Sequence, residues 1–238
     1  MIHGLFGTSD NLKAIAKGLA DNFTVYSIDA PGHGESSSFS PLSLSAMAAA
    51  VFEFTREQGL VRFSMLGHSL GGKIAMELAL MNPNAVDRLL VADIAPVQYP
   101  RRHDTIIKAL KALPLQTLSG RKEADTILSE SINELGVRGF LLKSLATSPE
   151  SKQWYWKFDL TQLAEDYEYL VAGNRHGKFS GQVLFIIGAN SDYVTPEHKA
   201  AIISRFPKVQ SKLIHGAGHW LHAEKPGAFI KICRDFLS

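Results

Sequence analysis

The run Arg62-Phe63-Ser64-Met65-Leu66-Gly67-His68-Ser69-Leu70-Gly71-Gly72-Lys73-Ile74-Ala75-Met76, continuing to Asn82-Pro83, decides how the chain is read. Arg62 to Leu66 is a short apolar segment of strand length. After the glycines, Ile74, Ala75, Leu78, Ala79 and Met81 recur at helical spacing until Asn82 and Pro83 end the run. Between them lies Gly-x-Ser-x-Gly. A sharp strand-to-helix turn strains the backbone of its middle residue, and the flanking positions must be small for the chain to fold back on itself. Gly67 and Gly71 supply that room. Such a turn holds the Ser69 hydroxyl above a sheet edge and aims the Leu70 N–H, at the start of the next helix, at the oxygen of a bound carbonyl. Ser69 is therefore the candidate nucleophile.

A serine hydroxyl is a weak nucleophile at neutral pH; it needs a base, and the base needs an acid that fixes its tautomer. Among nine histidines, His219 stands out. It closes Gly216-Ala217-Gly218-His219 directly after the β-like run Val209 to Ile214, where a glycine turn presents an imidazole at a sheet edge, and it precedes the Glu224-Lys225-Pro226 start of a terminal helix. His215 and His222 compete for the role. His219 and His222 also form a conceivable metal pair, but no third ligand has recognisable spacing, so no metal is expected. Two aspartates compete to orient the imidazole: Asp93, ending Leu89-Leu90-Val91-Ala92, and Asp192, after the run Val183 to Ile187 and a Gly-Ala-Asn-Ser turn. Both belong at carboxyl ends of neighbouring parallel strands, and either satisfies the chain order Ser, Asp, His. The second oxyanion donor is expected from a loop after an earlier strand. His3-Gly4-Leu5-Phe6-Gly7 has the His-Gly start such a loop requires, which makes the Leu5 N–H the partner of the Leu70 N–H.

Outside these segments the chain alternates. Strands fit Phe23 to Ile28, Arg62 to Leu66, Leu89 to Ile94, Val183 to Ile187 and Val209 to Ile214; helices fit Asn11 to Ala20, Leu44 to Gln58 with Ser43 as cap, Leu70 to Met81, Pro196 to Ser204 and Pro226 to Leu237. Strand-helix alternation implies a mostly parallel sheet with helices on both faces. The cluster Asp29 to Glu35 reads as a turn that shapes its loop. Between Pro96 and Gly181 the alternation stops, and short helices fit Thr105 to Leu113, Lys122 to Ile132, Val137 to Leu145 and Leu160 to Val171. The expected organisation is an α/β core of residues 1–95 and 181–238 with a helical lid, residues 96–180, inserted after the Asp93 strand and hanging over Ser69. Trp154, Tyr155 and Trp156 are candidate walls of its pocket, or core residues.

Composition narrows the partners. The chain has 238 residues, 45% of them hydrophobic and 20% charged, which suits one compact domain with an insertion. A net charge of +2 with scattered basic residues argues against nucleic acid; Arg101-Arg102-His103 is a short solvated cluster. A single cysteine, Cys233, excludes an internal disulfide and suits a reducing compartment, so a cytoplasmic location is expected. No apolar stretch is long enough to span a bilayer.

Taken together, His3-Gly4-Leu5-Phe6-Gly7, Gly67-His68-Ser69-Leu70-Gly71-Gly72-Lys73, Asp93-Ile94-Ala95-Pro96-Val97, Gly218-His219-Trp220 and His222-Ala223-Glu224-Lys225-Pro226 resemble the α/β-hydrolase superfamily, and within it the small bacterial YbfF-type esterases, nearly end to end. The resemblance implies cleavage of carboxylic esters with short acyl chains, or of acyl thioesters, by a serine, histidine and aspartate triad without cofactor or metal. It also implies that the acid is the aspartate of Asp93-Ile94-Ala95-Pro96, while Asp192 keeps the more widespread superfamily acid position. The same triad serves C–C bond hydrolases and perhydrolases, and the same fold serves slow-turnover small-ligand receptors. In one respect the chain departs from the resemblance. The strand feeding the His-Gly loop should lie near the sheet centre, yet only Met1 and Ile2 precede His3. N-terminal strands are thus expected to be missing from this sequence, with roughly ten to thirty further residues of strand and hairpin upstream.

Overall fold

The computed structural model describes residues 1–238. In chain order the elements are α1 (Lys13–Leu19), α2 (Leu44–Glu57), β1 (Phe63–His68), α3 (Leu70–Met81), β2 (Val86–Ala92), α4 (Asp104–Ala112), α5 (Arg121–Ser129), α6 (Leu135–Lys143), β3 (Leu145–Thr147), β4 (Trp154–Trp156), α7 (Leu160–Glu165), α8 (Tyr167–Val171), β5 (Gln182–Gly188), α9 (Lys199–Arg205), β6 (Val209–Ile214), α10 (Leu221–Glu224) and α11 (Pro226–Leu237). Four strands pair in parallel in the order β1-β2-β5-β6. Because they are parallel, their carboxyl ends share one edge, and the residues following each strand converge there.

Side-chain alternation divides the core. In β2, Leu89 and Val91 face a large apolar cluster with Met47 of α2 and Ile74 of α3, whereas Leu90 and Ala92 face a smaller one with Ile15 of α1 and Phe229 and Cys233 of α11. Helices thus cover both faces, as a parallel sheet requires. Ser43 caps α2, its Oγ accepting from Ala46 N–H at 3.2 Å, and Pro226 occupies the first turn of α11.

Two expectations fail at the level of elements, and for Trp154 and Trp156 the core reading holds over the pocket-wall one. Phe23 to Ile28 does not form a strand: only Ile28 joins a ladder, by a single parallel bridge to Ile2, which bridges Gly67 on its other side. A strand persists only where a neighbour runs alongside it, and here Met1 and Ile2 alone do so, with Ile28 N–H donating to the Met1 carbonyl at 3.0 Å. The helix expected over Leu160 to Val171 breaks at Asp166, whose carboxylate accepts from Leu42 N–H and from Gln162 Nε2, both at 2.6 Å. Trp154 to Trp156 form β4, which pairs antiparallel with β3. Trp156 stacks on Phe158 with ring centroids 5.4 Å apart, Trp154 lies against Arg121, and neither borders the cavity at Ser69.

The segment between β2 and β5 leaves the sheet and carries α4 to α8 and the β3-β4 hairpin. Its two crossings are strapped together. Asn174 N–H donates to Pro96 O at 3.3 Å and Tyr99 N–H to Val171 O at 2.9 Å. Lys73 of α3 reaches both crossings with one ammonium, donating to Val97 O at 2.6 Å and Ala172 O at 2.5 Å. One turn further along α3, Glu77 accepts from Asn174 Nδ2 at 3.0 Å and Arg175 Nε at 2.8 Å. No helix is long and apolar enough to cross a membrane.

Candidate active site

Ser69 sits between the last residue of β1 and the first of α3 with φ 52° and ψ −118°, a left-handed conformation that L-residues avoid. Residues in such regions cost on the order of 1–3 kcal/mol and persist only where their surroundings over-determine them. Here Ser69 N–H is fixed on Ala92 O at 3.0 Å. Close backbone approach explains both glycines. A Cβ on Gly67 would lie 2.1 Å from the Gly71 carbonyl oxygen, and one on Gly71 would lie 2.3 Å from the Ile2 carbonyl oxygen. Since Leu70 opens α3, its N–H is one of those that have no acceptor within the helix.

The imidazole of His219, on the loop after β6, bridges the sheet edge: Nε2 lies 3.0 Å from Ser69 Oγ and Nδ1 lies 2.8 Å from Asp93 Oδ2. Asp93 follows β2, is fully buried, and takes a left-handed φ of 52° that its N–H secures on Ile186 O at 2.9 Å. Its Oδ1 accepts from Gly188 N–H at 3.1 Å, and Oδ2 also accepts from the Ser191 hydroxyl. With both oxygens engaged, the carboxylate is held in one orientation. Asp192 is not brought to His219. Its carboxylate is exposed and pairs with Arg102 Nη1 at 2.9 Å. Of the competing histidines, His215 is exposed and His222 is buried against His68 and Phe229.

The loop Gly4 to Gly7 closes by Gly7 N–H on Gly4 O at 3.0 Å, and Phe6 takes φ 62°. Buried imidazoles hold it. His33 Nε2 accepts from Phe6 N–H at 3.2 Å, His3 Nε2 accepts from Ala30 N–H at 3.0 Å, and Ser144 Oγ donates to Phe6 O at 2.7 Å. Burial keeps both rings neutral, lowering His3 below its usual range and His33 to about 3. A neutral ring has the acceptor nitrogen these bonds need. Leu5 borders the cavity together with Ser69 and His219.

Several neighbours of Ser69, His219 and Asp93 are not singled out by the sequence. Tyr193 lies flat on the His219 ring, centroids 3.7 Å apart and planes 15° apart, with the Arg102 guanidinium 4.8 Å over the same tyrosine. His68 Nε2 donates to the His219 carbonyl at 2.8 Å, and burial holds its pKa well below the usual imidazole range. Ser191 and Tyr193 follow β5 on the edge that carries Ser69 and Asp93, so their position in the strand order was the available signal. His68, one residue before Ser69, offered none beyond adjacency.

A parallel sheet with such an elbow at its carboxyl edge defines a class: the chain belongs to the α/β-hydrolase-fold family, which matches residues 1–226. Within it the chain is similar to Esterase YbfF of Escherichia coli, 34% identical over 239 residues, covering 100% of this chain and 92% of that protein. It is also 36% identical over 246 residues to the mouse sn-1-specific diacylglycerol lipase ABHD11, covering 100% of this chain and 80% of the lipase. Among solved structures, a marine microorganism esterase superposes with a TM-score of 0.95 at 36% identity, covering 99% of this chain and 93% of that one.

Proposed function

We propose that the protein is a serine hydrolase of carboxylic esters, favouring short acyl chains and extending to acyl thioesters. The observation that carries the reading is the unbroken relay Ser69 Oγ, His219 Nε2, His219 Nδ1, Asp93 Oδ2, with links of 3.0 and 2.8 Å. Both links lie within hydrogen-bond reach, as nucleophile–base and base–acid contacts must. The names of the relatives, an esterase and a diacylglycerol lipase, support the same class of bond.

Ser69 Oγ attacks the ester carbonyl as His219 Nε2 takes its proton. Asp93, holding Nδ1–H, keeps the tautomer and offsets the imidazolium charge. The N–H groups of Leu5 and Leu70 receive the oxyanion, the two donors together contributing a few kcal/mol to the transition state. His219 then protonates the departing alkoxide or thiolate, and water repeats the sequence on the acyl-Ser69 ester. The helical segment 96–180 serves as the lid, its α4 and α6 roofing the cavity and limiting bulk water at the oxyanion. No metal or cofactor enters the scheme.

The test is Ser69→Ala in the purified protein, measured by turnover of a chromogenic ester and by labelling with a serine-directed phosphonate. Both should fall to background. Persistence of either identifies a different nucleophile.

A further inference from the structure

Two spaces of very different size meet at Ser69. The larger, about 420 Å³, extends beneath α4 and α6 and is bordered by Ile106, Val137, Phe140 and Trp220. The smaller, about 30 Å³, lies on the α3 side and is walled by Leu70, Ile94, Tyr99, Leu170 and Val171. Leu5, Ser69, Arg102, His103 and Tyr193 border both, but His219 faces only the larger.

That asymmetry fixes which end of a substrate goes where, granted the ester-hydrolase reading above. In the tetrahedral intermediate the former carbonyl carbon carries Ser69 Oγ, the oxyanion, the acyl chain and the leaving oxygen or sulfur. When the carbon–oxygen bond breaks, its electron pair goes to the leaving atom, which takes from His219 Nε2 the proton that came from Ser69. The leaving atom must therefore be within hydrogen-bond reach of His219, in the larger space. The acyl chain is left the smaller one. Deacylation repeats the geometry with water, whose oxygen joins the acyl carbon as its proton passes through His219 to Ser69.

We propose that the 30 Å³ recess is the acyl pocket, and that the substrates join a two- or three-carbon acyl group to a bulky, largely apolar alcohol or thiol seated in the 420 Å³ cavity. A cavity of about 150 Å³ admits benzene, and about 10–15 Å³ of such space is enough for one water. The recess thus takes a methyl or ethyl group and no long chain. Its walls are braced against widening. The Tyr99 hydroxyl accepts from Ala95 N–H at 2.9 Å and donates to the Tyr193 carbonyl, while Tyr99 N–H holds Val171 O at 2.9 Å.

The experiment measures kcat/KM of the full chain on two series: p-nitrophenyl esters of two-, four-, six- and eight-carbon acids, and acetates of ethyl, octyl and naphthyl alcohols. The expected result is a loss of at least tenfold from the two- to the six-carbon acyl group, with the bulky acetates cleaved at least as well as the ethyl ester. Val171→Ala should move the acyl optimum to longer chains, and Val171→Leu, which fills the recess, should cut acetate cleavage at least tenfold. Faster cleavage of six- or eight-carbon acyl esters by the unaltered protein, with Ser69→Ala inactive, overturns the pocket assignment while leaving the esterase reading intact. So does an acyl preference that neither Val171 variant moves. Failure to cleave any ester overturns both.

Discussion

At the scale of single residues, what separates Asp93 from Asp192 is environment rather than chain order. Asp93 is sealed from solvent and meets His219, Gly188 N–H and Ser191, whereas Asp192 is spent on Arg102 at the surface. Asp93→Asn should leave the fold intact and lower kcat on a chromogenic ester by about 10⁴-fold, because an amide presents the imidazole with the wrong partner for its tautomer. Asp192→Asn should stay within about tenfold of the parent, since an exposed ion pair contributes at most about 1 kcal/mol. Steady-state kinetics of the two variants side by side decide the point. Ser69, His219 and both aspartates were legible in the sequence because each follows an apolar run and precedes a turn or helix. The choice between the aspartates was not, since burial and the reach of an imidazole across two strands exist only after folding. For the same reason Tyr193, flat against His219, left no mark in a one-dimensional pattern.

The elbow itself is a property of an element. Gly67 and Gly71 let β1 and α3 close on each other and on the Met1–His3 backbone, and the space at each is filled by backbone rather than by yielding side chains. Gly71→Ala would drive a methyl group against the Ile2 and His3 carbonyls, so it should lower unfolding free energy by about 3 kcal/mol or more and cost soluble yield. Urea denaturation followed by circular dichroism measures this; an unshifted midpoint would show that the elbow relaxes. Elements with strong periodicity were readable: α11 spans the expected Pro226 to Leu237, and β5 and β6 lie where apolar runs put them. The misses share a cause, because pairing and capping by distant residues outweighed local preference. Phe23 to Ile28 has strand-like composition but almost no neighbour to bond, and Asp166 ends α7 because Leu42, far away in sequence, donates to it.

At the scale of the whole molecule, four buried imidazoles and one half-buried make stability depend on acid. His3, His33, His68, His103 and His222 are all depressed below the usual 6.5, chiefly by burial, with His33 near 3 and His103 and His222 near 4. Below about pH 6.5 the unfolded chain binds protons that the folded chain refuses, so stability falls with decreasing pH, each group adding a slope of up to about 1.4 kcal/mol per pH unit until its folded pKa is reached. The urea midpoint should therefore drop steeply from pH 6.5 to 4. His222→Leu should make that drop shallower, since the His222 Nδ1 has no hydrogen-bond partner to lose. Sequence counts nine histidines but not which of them the fold dehydrates. Lys73 bears on how the segment between β2 and β5 is held. It rises from the helix that begins after Ser69 and grips the chain both where it departs toward α4 and where it returns from α8. A segment held at both of its exits by one side chain is tied to the elbow at each of them. Whatever moves one crossing pulls on the other, and both pull on the helix whose first residue follows Ser69.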